Sequence, residues 1–175
     1  MNRERMDSLM QKTKTDVDFA IALSNDIIQE NSQDLDDLMR DIQRNVVVVR
    51  GVPDQIIEEY LAELTNALYF INTRIESFGF YEDITKANAR LKYNESYSEN
   101  QLNAVATNKK VTVADNQLYA ETNSVDETTL NLIYSRSMKI LRGKVDSASE
   151  MIRTLSKILS VHMNEKQIGK FSAGE

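Results

Sequence analysis

Two tyrosines, Tyr93 and Tyr97, lie one helical turn apart in a stretch that also holds Arg90 and Lys92. Rings that stack on bases, interleaved with cations that meet phosphates, are the chemical pattern of single-strand nucleic-acid binding. Tyrosines that merely cover a neighbouring helix would show the same spacing. Further along come Lys109 and Lys110, and then a basic last helix with Arg136, Lys139, Arg142, Lys144, Arg153 and Lys157 against Asp146 and Glu150. At about 100° per residue, Arg136, Lys139, Arg142 and Arg153 fall near one stripe. Together with Arg90, Lys92, Lys109 and Lys110 they form a candidate phosphate track, although a charge run is more often a solvated face.

Other chemistries find little support. Asp34, Asp37 and Asp41 share a helical face that could hold Mg²⁺ through carboxylate oxygens, but Glu58, Glu59 and Glu63 on the next helix complete no metal pattern. A solvated face, or one that meets a basic protein, accounts for them better. His162 is the only histidine; a catalytic base would need an orienting carboxylate and a nucleophile beside it. The absence of cysteine excludes disulfides, thiolate zinc sites and a cysteine nucleophile. Five isolated glycines, at 51, 79, 143, 169 and 174, form neither a P-loop nor a dinucleotide fingerprint. The expectation is a protein without catalysis, metal or cofactor.

The elements that must position these residues are helical. In 175 residues there are only five glycines and one proline, too few turn signals for a β-sandwich or barrel. Ile57, Leu61, Leu64, Leu68, Ile71, Ile75 and Phe78 alternate spacings of four and three, a heptad seam expected to end at Gly79. A second seam runs through Tyr134, Met138, Leu141, Val145, Ala148, Ile152, Leu155, Leu159 and His162. The N-terminal pattern is less regular, with Met10, Val17, Ala20, Ile27, Leu35, Leu38 and Ile42 and an expected break around Asn31-Ser32-Gln33. The run Val46-Val47-Val48-Val49 reads as the apolar end of this first helix, and a new one should start at Pro53 or Asp54. Residues 81 to 107 make a fourth stretch with a polar seam interrupted at Asn94 and Ser98, the weakest as core. Thr112 and Asp115 have the spacing of a capping box, so a short helix should run from about Val113 to Thr122, and another should start at Ser124 to Glu127.

The predicted fold is therefore all-α, with elongated antiparallel helical hairpins or a bundle and coiled-coil-like seams. An acidic N-terminal helical segment (1–50) precedes a helical bundle (53–175). Residues 1 to 60 carry 7 basic and 13 acidic side chains, whereas 126 to 175 carry 8 and 6. Seams of this kind can satisfy each other or recruit other chains, so a homo-oligomer is expected. No run approaches the length of a membrane span or signal peptide, which leads to an expectation of a cytoplasmic protein without membrane contact.

The second half also resembles a known family. Ala89-Arg90-Leu91-Lys92-Tyr93, then Lys110-Val111-Thr112-Val113-Ala114-Asp115, then a long amphipathic helix from near Leu130 to Tyr134, and the ending Phe171-Ser172-Ala173-Gly174-Glu175 follow the order seen in bacteriophage UvsY-type recombination mediators. The resemblance covers roughly residues 86 to 175 and rests on short matches. That family is generally shorter and more basic, and has no counterpart of the acidic first 80 residues. Its members are small helical proteins that oligomerise, bind single-stranded DNA and help a RecA-like recombinase displace single-strand-binding protein. The resemblance implies phosphate contacts at Arg90 and Lys92, a stacking platform at Tyr93, and host-cell cytoplasm as the location. The acidic N-terminal half would be an addition, a docking arm for the recombinase or another protein or a brake on DNA binding. The rival expectation is a structural or adaptor protein, a virion component or an inhibitor of a host protein, that acts through protein contacts alone.

Overall fold

The computed structural model describes the backbone of residues 3 to 49 and 51 to 172, and the side chains of residues 16 to 49 and 51 to 168. The side chain of Met10, all of Arg50 and the side chains of the Phe171 to Glu175 ending lie outside the described residues. The architecture is all-α. Helix α1 spans Arg3–Ile42 and passes into a π-helical turn, Gln43–Val47; α2 spans Asp54–Ala106, α3 Val113–Asn123 and α4 Val125–Ser172. The described residues contain no strand.

Local chemistry explains most of the boundaries. After the π turn the chain reverses through Gly51, whose φ of +76° is open to glycine at little cost, and α2 starts just beyond Pro53. At its far end α2 closes in a Schellman arrangement. Lys109 N–H donates to the Ala104 carbonyl at 3.0 Å and Asn108 N–H to that of Val105 at 3.3 Å, with Asn108 left-handed at φ 52°. A complete capping box opens α3: Asp115 N–H donates to Thr112 Oγ1 at 3.2 Å, and Thr112 N–H to the Asp115 carboxylate at 2.9 Å. The Thr112 N–H bond foremost, then one that the Thr112 hydroxyl donates to Asp115 Oδ2 at 2.7 Å, hold the Asp115 carboxyl below its ordinary pKa. Asp126 and Glu127 occupy the first turn of α4, where the helix dipole favours anions.

Two expected breaks are absent. Helix α1 runs through Asn31-Ser32-Gln33 because its polar groups there are satisfied in place. Ser32 is buried, and its hydroxyl reaches the Ile28 carbonyl at 2.8 Å and Asp36 Oδ2 at 3.1 Å. Helix α2 runs through Gly79, which does not take the positive φ of a helix stop. A mid-helix glycine costs only about 1 kcal/mol, and the packing of Phe78 against Tyr134, with ring centroids 5.9 Å apart, helps keep that turn helical.

The helices form two compact units, Ile28–Glu76 with Ile140–Glu175, and Met1–Ile27 with Ser77–Lys139. The expected division at residues 50 to 53 falls in the α1–α2 connection, and this grouping is a different one. In the first unit the seam residues Ile57, Leu64, Ile71 and Ile75 of α2 and Leu141, Ala148 and Leu155 of α4 are buried with Leu35, Ile42, Val46 and Val52. Leu61, Leu68, Val145, Ile152 and Leu159 are half-buried beside them. We call this the aliphatic unit.

The second unit buries a different set. Ile27, Ala120, Ile133 and Met138 are its buried apolar residues, and Thr85, Ser96, Asn116, Ser124 and Ser137 are buried with them. Hydrogen bonds join its helices. Ser24 meets Ser137 at 2.9 Å, Asn100 donates to Asn116 at 2.7 Å, and Thr85 reaches Asn131 at 3.5 Å. We call this the polar unit. Among the described residues no buried side-chain polar atom lacks a partner.

Candidate nucleic-acid interface

The residues singled out for phosphate contact are solvent-accessible, and they are divided between the two units. Arg90 and Lys92 are both exposed, and two residues along a helix turn them about 200° apart, on opposite flanks of the seam that faces the unit's core. The two cations therefore point to different sides of the helix. Lys92 shares its flank with Glu95 and Glu99, three and seven residues on. Arg90 shares its flank with the tyrosines.

Tyr93 and Tyr97 are each half-buried, with ring centroids 6.4 Å apart and planes 26° apart. The offset stack fixes both rings along α2 while leaving part of each open to solvent. Lys86, exposed and one turn before Arg90, completes the row Lys86, Arg90, Tyr93 and Tyr97 at i, i+4, i+7 and i+11. Lys86 is not among the residues that the sequence pattern singles out, and its spacing of four from Arg90 is the signal that places it in the row.

Lys109 and Lys110 follow the Schellman cap and border an open groove of about 810 Å³ at the α2–α3 corner. Leu102, Val105 and Val111 line it too, so it is not a purely cationic surface. On α4, Arg136 and Lys139 are exposed in the polar unit, and Arg142 and Arg153 in the aliphatic one. Arg153 forms an exposed ion pair with Glu150 on the same helix, a weak contact that phosphate could displace. Lys144 faces inward and pairs with Asp36.

The remaining candidates resolve into structural contacts. His162 Nδ1 and Asp54 Oδ1 lie 2.9 Å apart, and Lys166 pairs with the other carboxylate oxygen. An orienting carboxylate is thus present, but among the described residues no serine or threonine hydroxyl hydrogen-bonds to His162. The bond from Lys166 foremost, then that from His162, holds the Asp54 carboxyl below its ordinary range. Asp37 pairs with Arg40 at 2.6 Å, and Asp34 borders a small groove with Arg74 and Phe70. Among the described residues no three histidine, cysteine, aspartate or glutamate side chains are grouped to hold a metal ion. No described helix is long and apolar enough to cross a membrane.

Fold and surface thus define an all-α helical protein with a stacked, cation-flanked tyrosine pair on its longest helix. In comparisons with known proteins, no family model, no curated protein and no solved structure matches the chain.

Proposed function

We propose that the chain is a non-enzymatic accessory that binds single-stranded DNA and assists a recombinase during phage DNA recombination in the host cytoplasm. The observation that carries this reading is the row on α2: Tyr93 and Tyr97, stacked and half-open, with the exposed cations Lys86 and Arg90 on the same flank. Bases stack on such rings regardless of sequence, and phosphates meet the cations. Lys109, Lys110, Arg136 and Lys139 are the secondary contacts within the same unit, and the resemblance of residues 86 to 175 to UvsY-type mediators points the same way. The acidic N-terminal half is the surface offered to the recombinase or to another protein partner.

Fluorescence anisotropy of a labelled single-stranded oligonucleotide, at low and at physiological salt with duplex as control, tests the reading. Saturable binding that favours the single strand, weakens with salt and falls on Tyr97→Ala or Lys86→Glu supports it. No binding at low salt rejects it. A structural or adaptor role would then stand, favoured by the exposed acidic residues Asp34, Asp37 and Asp41 and by the apolar side chains left outside on α2.

A further inference from the structure

The polar unit wears part of its apolar inventory on the outside. Along α2 the positions 80, 84, 87, 91, 94, 98, 101 and 105 are all exposed, and their spacings alternate four and three, which makes a second heptad line on the face away from the core. It holds Phe80, Ile84, Ala87, Leu91 and Val105, with Leu102 adjoining, and the five large side chains are between 54% and 77% exposed. The opposite, core-facing side of the same segment holds Thr85, Ala89, Tyr93, Ser96, Tyr97, Asn100 and Ala104, with no large aliphatic side chain among them. Helices normally bury their aliphatic face, and this one leaves it outside.

We propose that the outward face of α2 from Phe80 to Val105 docks a second copy of this chain, in parallel and in register. Three features specify that occupant. The first is register. In a parallel pair each residue of the line meets its own counterpart, so Ile84 meets Ile84 and Leu91 meets Leu91, and the polar positions Asn94, Ser98 and Gln101 meet like with like and can hydrogen-bond across the axis. Reversing one helix over the same span would instead set Ile84 against Gln101 and Leu91 against Asn94. The second is charge: with Ile84 and Leu91 at a positions, Arg90 falls at g and Glu95 at the following e, the g-to-e′ pairing of a parallel dimer, formed twice by symmetry. The third is area. At these exposures the large side chains offer roughly 600 Å² per copy, and the flanking positions bring this near the roughly 800 Å² that each partner of a stable pair contributes. The dimer does not depend on nucleic-acid binding. It also differs from assembly through the seams at 57 to 78 and 134 to 159, whose residues are buried or half-buried within the chain.

Sedimentation velocity on the full chain across a concentration series tests the proposal. The expected result is a dimer, with Leu91→Asp raising the dissociation constant by about 100-fold or more while far-UV circular dichroism stays unchanged. Arg90→Glu and Glu95→Arg should each weaken the dimer, and the two together should restore it. Lys86→Glu, at a c position outside the line and its flanks, should leave the dimer intact while reducing oligonucleotide binding, so the two proposals fail separately. A monomer at every concentration, a dimer indifferent to Leu91→Asp, or a double charge swap that restores nothing would overturn the parallel pair.

Discussion

The two halves of α2 use the same helical periodicity to opposite ends. In the aliphatic unit, Ile57, Leu64, Ile71 and Ile75 turn their apolar line inward against Leu141, Ala148 and Leu155 of α4, and the outward face, Tyr69 and Phe70 aside, is largely polar. In the polar unit the same helix turns Thr85 and Ser96 inward and exposes Phe80, Ile84, Leu91, Leu102 and Val105. A helix face with a strong apolar line and nothing against it is a recognition surface. A core closed by side-chain hydrogen bonds fixes geometry more than it adds stability, because each bond exchanges a partner in water for one in the protein.

The sharpest way to break the comparison is to remove the same atoms from both halves. Leu64→Ala, at a fully buried position, should cost about 2 to 5 kcal/mol and lower the melting temperature accordingly. Leu91→Ala, in the outward line, should change monomer stability by no more than about 0.5 kcal/mol in calorimetry under dilute conditions. Equal losses would mean that Leu91 is packed within its own chain. In the polar unit the vulnerable residues are instead the buried amides: Asn116→Ala strands the Asn100 amide and should cost about 1 to 3 kcal/mol in chemical denaturation.

A smaller effect has the opposite sign. A Cβ built at Gly79 meets nothing within 4 Å, so Gly79→Ala should stabilise the chain by about 0.5 to 1 kcal/mol through reduced freedom of the unfolded state. The smallest expected effect is electrostatic. Because the folded pKa of Asp54 is depressed, its contribution to stability is fully present above the ordinary value of 3.8 and is lost as pH falls through the folded value. Melting temperatures of the wild type and Asp54→Asn should differ at pH 6 and converge only once the pH has fallen below 3.8 and through the folded value. A gap that persists at low pH would contradict the ion-pair account.

The aliphatic unit was legible in the sequence because periodicity and burial agree there. The seam positions of α2 and α4 from Ile57 to Leu159 are all buried or half-buried, and even His162 sits half-buried against Asp54 as the seam predicts. The capping box at Thr112 and Asp115 was equally legible, since it is a local arrangement fixed by spacing. What failed was the reading of punctuation. Gly79 and Asn31-Ser32-Gln33 look like stops, but tertiary packing and back-bonded hydroxyls carry the helices through them. The polar seam of residues 81 to 107 was visible, yet sequence alone could not say which of its two lines faces inward, because Thr85 and Asn100 meet Asn131 and Asn116 only in the fold.

The site was legible in type and less so in arrangement. Tyr93 and Tyr97 do pair, and the cations are exposed, but Arg90 and Lys92 separate by simple helical rotation and Arg153 pairs weakly with Glu150. Lys86, not Lys92, completes the row.

The central claim is that the outward line of α2 lies against its own counterpart. With no native cysteine in the chain, Ser98→Cys places one thiol on that line, and oxidation followed by non-reducing electrophoresis reads its neighbour directly. The account predicts efficient formation of a disulfide-linked dimer, since in a parallel pair the two Cα atoms come within the roughly 7 Å a disulfide tolerates, while Ser98→Cys combined with Leu91→Asp should cross-link poorly. Failure of Ser98→Cys to cross-link at concentrations where sedimentation shows a dimer would contradict it.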